Sequence, residues 1–478
     1  MRPDHSSPST AHPWWVALIC GMASYIDSAA IVSSGTALVL YQHSIGITEG
    51  QIGALSATLT LSIAVGALTG GRLGDRYGRR RVFLTTMAMI VIGSALLVLA
   101  PGFAMLMVGM MLVGLGSGAD LPVSLASISE AASDHNRGRL VGFSQILWFG
   151  GIIGANVFGI IAGGLGQLGG QIMFCHVGIV ALIVLAARLS IPESTTWANA
   201  DRERLAGSDT IRASSTGLKD VLSQKIFLMP FLALIGFYTL TNIGANTGGQ
   251  FGTYIGVNVV GITVQQQSLL GIVMLGVGML GAMVFMRIVD TPLRMKVYAV
   301  GAVLLAGSYL IPVVFGFSLI PWVALSFFNA IGGAFAFEAI MKVWSQESFP
   351  TLLRSTVQGS VIGIARVLAA GVALITPALM NTPTMAYLLL TIIVTVGLVC
   401  GWVGFRRTGF DAFAEETLDA STLSAPAAAS VGDTNPGAHS GAGTRTRTDR
   451  RRPPRPAAPH AVRHAQLSPT TPYAPTER

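Results

Sequence analysis

Five ionisable side chains fall inside long apolar runs of this sequence: Asp27, Asp120, Glu338, Lys342 and Arg366. Charge in such surroundings is costly, so each position calls for a chemical reason. A carboxyl group drawn out of water can exchange a proton near neutral pH, which makes Asp27, Asp120 and Glu338 candidate proton carriers. Asp120 has two readings, a carboxylate pair with Asp27 or a place facing a polar cavity. The guanidinium of Arg366 offers a planar fork that matches a carboxylate. Two roles are open to it, binding an acidic solute or pairing with Glu338. Glu338 and Lys342 stand four residues apart and can pair on one helix, and Lys342 can also extend toward the membrane surface. Asn242, Asn246, Thr247 and Gln250 form a polar group further along, with Asn242 and Asn246 on one helical face. With Gln145 they are candidates for a solute-binding wall, since amides in apolar helices line cavities or bond to other helices.

The elements that carry these residues follow from composition. Of 478 residues, 51% are apolar and 11% charged, against about 25% charged in ordinary soluble domains. A soluble chain cannot hide that much apolar surface, which excludes a soluble enzyme and a disordered protein. A helix crossing a bilayer needs about 20 apolar residues. Candidate spans lie at 14–40, 51–70, 82–100, 103–127, 140–163 and 171–190, then at 226–247, 267–288, 296–317, 321–344, 357–379 and 385–405. The expected architecture is an all-α membrane protein with twelve transmembrane helices. It divides into an N-terminal segment 1–13, a six-helix bundle 14–190, a linker 191–225, a second bundle 226–405 and a tail 406–478. No signal peptide is evident at the start.

Lys and Arg are confined to alternate loops. Arg72 to Arg81, Arg137 and Arg139, Arg188 to Lys225, Arg287 to Lys296, Arg354, and Arg406 with Arg407 mark one side, while 41–50, 101–102, 164–170, 248–266, 318–320 and 380–384 contain neither residue. By the positive-inside rule both termini are expected in the cytoplasm, and the bilayer to be the cell membrane. The net charge of +8 is explained by this placement, and no nucleic-acid partner is implied. Cys20, Cys175 and Cys400 lack metal-ligand spacing, so neither a metal nor another cofactor is expected. The Gly-rich runs 114–118 and 150–159 lie within apolar spans and suit close helix packing, not a nucleotide loop.

The chain also repeats itself. Asp75 with Arg79 and Arg81 is matched, at the same internal spacings, by Asp290 with Arg294 and Lys296. Glu130 with Arg137 is matched by Glu347 with Arg354, displaced along the chain by almost the same amount. Two features at one offset indicate a duplicated six-span unit. Parallel repeats with a site between them at mid-depth describe a secondary transporter.

The segment GGRLGDRYGRRR, Gly70 to Arg81, resembles the signature loop of the major facilitator superfamily, at Gly71, Leu73, Asp75, Arg76, Gly78, Arg79 and Arg80. Glu130 with Arg137-Gly138-Arg139, Pro192-Glu193-Ser194 with Trp197, and Glu347 with Phe349-Pro350-Thr351 and Arg354 resemble elements of its sugar-porter and metabolite:proton symporter branches. Gln145 and the pair Gly244 and Asn246 resemble sugar contacts, although Leu240 and Thr241 stand where paired glutamines are usual and Met110 where an arginine is usual. Asp27 matches the aspartate of proton-coupled members. Arg366, twelve residues after Arg354, matches an arginine of organic-anion and aromatic-acid carriers.

The resemblance implies two pseudo-symmetric bundles, a small-molecule substrate carried with protons, a monomer, and no enzymatic activity. An organic acid is expected over a neutral sugar, with proton-antiport efflux as the alternative. It implies conformational gating by Gly71, Asp75, Arg76, Gly78, Arg79, Glu130, Arg137, Asp290, Arg294, Glu347 and Arg354. The tail, rich in Ala, Pro, Ser and Arg, reads as disordered by composition and dispensable for transport.

Overall fold

The computed structural model describes residues 12–132, 137–193, 225–289, 291–349 and 351–406. The tail 407–478, most of the linker and Asp290 lie outside them. Among the described residues all regular structure is helical. The first half comprises α1 (Pro13–Ile45), α2 (Glu49–Tyr77), α3 (Arg79–Leu99), α4 (Phe103–Ala131), α5 (Arg137–Ala162) and α6 (Gln167–Arg188). The second comprises α7 (Lys225–Ile255), α8 (Val264–Ile288), α9 (Arg294–Phe315), α10 (Leu319–Ala336), α11 (Glu338–Glu347), α12 (Thr351–Leu379) and α13 (Pro383–Phe405). A π-helical turn, Gly256–Val260, ends α7.

Twelve segments are long and apolar enough to cross a membrane, with α10 and α11 together making one of them. That span, expected as one helix over 321–344, is interrupted at Phe337, whose φ of −131° and ψ of −114° leave the helical region. The outward surface is apolar, with Ile320 81% and Val303 72% exposed. Side chains of this kind belong in lipid.

The helix ends repeat as the charges do. Gly46 and Gly261 both adopt left-handed conformations, at φ of 78° and 83°. Thr48 and Thr263, two residues later, each head a capping box closed by Gln51 and Gln266. Each box satisfies two otherwise unpaired helix donors, and the two are related by the offset that separates Asp75 from Asp290. The sequence carries the repeat openly, as GITEGQ at 46–51 and GITVQQ at 261–266.

Within the first half α2 packs on α4, α1 on α5 and α3 on α6; within the second α7 packs on α13 and α9 on α10. Between halves α1 meets α7, α2 meets α12, and α8 meets α5. This is the pattern a pseudo-two-fold relation requires. The first contact joins counterparts, and the other two are copies of each other. The α2–α4 contact depends on missing side chains. A Cβ at Gly118 would overlap the Ile63 carbonyl oxygen, and one at Gly114 would lie 2.7 Å from that of Leu59.

The two halves fill one equivalent position differently. In the first, the buried Arg188 lies over the Phe83 ring at 4.5 Å. In the second, the matching positions are held by Phe405 and Tyr298, and both rings meet Trp344, Phe405 stacked at 4.3 Å and Tyr298 edge-on at 5.1 Å.

Candidate functional site

Asp27 lies on α1 and is 1% exposed. One carboxylate oxygen accepts a hydrogen bond from the Ser117 hydroxyl of α4 at 3.3 Å. The other stands 3.5 Å from a guanidinium nitrogen of Arg366, on α12 in the other half. A charge-assisted bond at its best is about 2.7–2.9 Å, so this pair is in contact but not drawn tight. The alternative partner considered for Arg366, Glu338, stays within electrostatic reach of it, as does Tyr238.

Glu338 pairs with Lys342 at 2.8 Å along α11. Lys342 also donates across the interface to the Gln145 side-chain oxygen of α5, at 3.4 Å. Around these charges two polar contacts bridge the halves, Asp27–Arg366 and Gln145–Lys342. The side chains of Arg366, Glu338 and Lys342 remain 24%, 38% and 40% exposed. These groups stand at the cleft between the halves, through their contacts with Asp27 and Gln145. The break at Phe337 puts Glu338 in the first turn of α11, where free N–H groups favour a carboxylate. Phe337 itself stacks on Tyr238 at 5.4 Å.

The polar group on α7 divides. Asn242 lies against the Tyr238 hydroxyl, on the Arg366 side. Asn246 donates to Gln250 at 3.4 Å. Gln250 is buried and directed away from the cleft charges: its amide nitrogen donates to the Ser56 carbonyl at 3.0 Å and its oxygen accepts from the Thr60 hydroxyl at 3.1 Å, both on α2.

Gln250 belongs to a seal at the end without Lys and Arg. There Thr36 bonds Thr253 at 3.2 Å and Asn258 donates to Gln42 at 3.2 Å. A Cβ at Gly35 would overlap the Gln250 carbonyl oxygen, and one at Gly53 would overlap that of Leu374. The halves are therefore in backbone contact at this end.

Asp120 does not pair with Asp27. Both its oxygens are engaged by Arg188, one at 2.8 Å, and by the hydroxyls of Thr86 at 2.9 Å and Ser124 at 3.2 Å. Arg188, read from sequence as a loop charge, is the last residue of α6 and has no exposed side chain. Desolvating two charges is offset only by close pairing with further hydrogen bonds, and the cluster ties α3, α4 and α6 together.

At the basic end the repeat reappears as geometry. Arg79 pairs with Glu130 at 2.9 Å, and its counterpart Arg294 pairs with Glu347 at 2.6 Å. Glu193, just after α6, accepts from the backbone N–H groups of Arg79 at 2.9 Å and Arg80 at 3.2 Å, which covers the start of α3. Gly78, at φ 95°, makes the turn between α2 and α3. Gly71 has nothing within 4 Å of an added Cβ, and Arg76 lies over Tyr77 at 5.4 Å. Asp75, Arg137 and Arg354 are placed on α2, α5 and α12 by their backbones. No cluster among the described residues could hold a metal ion.

A family model described as the Major Facilitator Superfamily matches residues 17–377. The chain belongs to this superfamily. The minor myo-inositol transporter IolF of Bacillus subtilis (strain 168) is 30% identical over 396 residues, covering 80% of this chain and 89% of the relative. The niacin transporter NiaP of Acinetobacter baylyi is 29% identical over 184 residues, 38% of this chain and 40% of the relative. Among solved structures, the inward-open xylose transporter XylE from E. coli superposes with a TM-score of 0.66 at 19% identity, over 85% of this chain and 98% of that one. Like other members of the superfamily, the chain is a transmembrane transporter of small molecules and not an enzyme.

Proposed function

We propose that this transporter takes up a small organic acid together with protons, by alternating access in the cell membrane. One observation carries the reading: the carboxylate of Asp27 and the guanidinium of Arg366 meet across the interface between halves, at 3.5 Å. With Asp27 ionised, Arg366 is occupied by an internal carboxylate. A proton on Asp27 removes that competitor, and the Arg366 fork is free for a solute carboxylate. Proton and substrate thus bind in support of one another although they never touch. Glu338 holds Lys342 and Gln145 in place beside them, and Asn242 with Tyr238 lines the side nearest Arg366.

The basic loops mark the cytoplasmic side by the positive-inside rule. On that assignment both termini are cytoplasmic, and the seal around Gln250 closes the outer side. Each chain carries a complete cleft between its own halves, so the working unit is a monomer. Proton coupling is in keeping with the D-xylose-proton symporter, which has the same fold. The niacin transported by one relative is an acid and the myo-inositol transported by another is neutral. Arg366 favours the acid.

The test is uptake of labelled nicotinate and myo-inositol by proteoliposomes, with and without an inward pH gradient. Nicotinate accumulation that requires the gradient, and is lost in Asp27→Asn while exchange persists, is the expected result. Undiminished accumulation by Asp27→Asn sinks the assignment.

A further inference from the structure

The cleft holds four ionisable groups, Asp27, Glu338, Arg366 and Lys342, joined in a line by the contacts Asp27–Arg366 and Glu338–Lys342 and by the reach of Glu338 to Arg366. Two are acidic and two basic, so the empty, fully ionised cleft is neutral. We propose that the transporter carries one proton with one monovalent carboxylate, so that neither the empty nor the loaded cleft moves net charge across the membrane. This rests on the reading of Asp27 and Arg366 given above and adds the stoichiometry and the charge of the substrate.

A single proton on Asp27 leaves the cleft with one surplus positive charge, on Arg366. A monoanion restores neutrality. A dianion leaves one unbalanced negative charge in a low-dielectric setting, where such a charge is expensive. A second proton has nowhere comparable to go. The offset that relates Asp75 to Asp290 carries Asp27 onto Asn242 in the other half, an amide of the same shape that does not titrate. Glu338 is already held by Lys342 at 2.8 Å.

The other ionisable groups on helices around this line are engaged or remote. Asp120 is held by Arg188, near the buried Cys20, and His176 of α6 bonds the Tyr25 hydroxyl at 2.8 Å. Tyr238 faces Arg366 from α7. Arg79 and Glu130 pair with each other at the basic end, where the exposed Arg72 and Arg76 also lie, and Glu49 starts α2 at the opposite end. The proton enters onto an Asp27 carboxylate oxygen from one side and leaves from it on the other, with the carboxylate anion travelling on Arg366.

Full-length protein in proteoliposomes, with labelled nicotinate, provides the test. One unit of inward pH gradient should give about tenfold accumulation. An inside-negative potential set by potassium and valinomycin, without a pH gradient, should give none. A cycle moving one net positive charge inward would instead gain about fiftyfold per 100 mV. Quinolinate, the same ring with a second carboxylate, should compete at least tenfold less well than unlabelled nicotinate. Glu338→Gln adds one positive charge to the loaded and the empty cleft alike, so nicotinate addition on a supported membrane should give a transient charge displacement with no sustained current, where the wild type gives neither.

Accumulation driven by potential alone, or quinolinate competing equally, overturns the one-to-one stoichiometry while leaving proton-coupled acid uptake standing. A sustained current from the wild type or from Glu338→Gln also overturns it. Uptake of myo-inositol but no nicotinate removes the proposed function and the tally with it, as does uptake of neither.

Discussion

Asp27 on α1 and Arg366 on α12 come within 3.5 Å of each other, one from each half of the molecule. The acid is almost fully enclosed while the base keeps about a quarter of its side chain exposed. Arg366 is therefore open on the side away from Asp27, where a solute carboxylate can take over the fork once a proton releases Asp27 from it.

Arg366→Gln removes the fork and Arg366→Lys replaces it with a single point of charge. Hydrogen bonds to charged groups contribute about 1.5–3 kcal/mol. Half-saturation for a carboxylate solute should therefore rise about ten- to a hundredfold in Arg366→Gln and by less in Arg366→Lys, with uptake of any neutral solute changed far less. Equal losses for both solutes would mean that Arg366 only holds the halves together.

The Asp120–Arg188 cluster should behave as architecture. Breaking a buried pair by removing one partner costs about 3–5 kcal/mol, so Asp120→Asn and Arg188→Met should each lower the melting temperature of the detergent-solubilised protein clearly. The double variant Asp120→Leu with Arg188→Met should recover much of the loss. The fraction of Asp120→Asn that folds should retain the wild-type proton dependence of uptake. A shifted dependence would give Asp120 a part in coupling.

Gln250→Leu removes two hydrogen bonds that cross between the halves. At about 0.5–1.5 kcal/mol each, the balance should move several-fold to a hundredfold toward opening at that end. A Thr253→Cys reporter, in a chain with its three native cysteines replaced, should react faster with a membrane-impermeant maleimide when Gln250→Leu is present. An unchanged rate would show that the glycine contacts and the Asn258–Gln42 bond keep this end shut without Gln250.

Glycine positions separate the two ends further. Gly53→Val sets side-chain atoms where a Cβ alone would already overlap the Leu374 carbonyl oxygen, and it should raise the reporter rate more than Gly71→Ala does. Gly71 has open space around it in this structure. Gly71→Ala should therefore leave the melting temperature unchanged within error and slow transport only through the opposite-facing state. A lowered melting temperature would place a close neighbour at Gly71 after all.

Much of this architecture is legible from residues alone. Apolar run lengths mark the spans, and the nearly equal spacing of Asp75/Asp290 and Glu130/Glu347 reveals the duplication. The GIT-x-x-Q pair at 46–51 and 261–266 is an equally plain signal that the charge pattern overshadows. Other features have no local mark. Arg188 ends an apolar run just where loop charges begin, and only packing against Phe83 and Asp120 tells it from them. The interruption at Phe337 involves neither proline nor glycine at that residue. Gln250 looks like its neighbours Asn242 and Asn246, yet the turn of α7 aims it at α2. The pairing of Asp27 with Arg366 depends on how spans from opposite halves come together, which neither span encodes by itself.

The interruption at Phe337 makes α11 a separate rod of ten residues, about 15 Å long. Glu338 and Lys342 ride on its inner portion, and Glu347, clasped by Arg294, sits at its outer tip. The residue that Arg294 clasps and the residues that face Arg366 and Gln145 therefore share one short rigid segment, so the ion pair at the basic end and the charges between the halves hold a common piece of backbone.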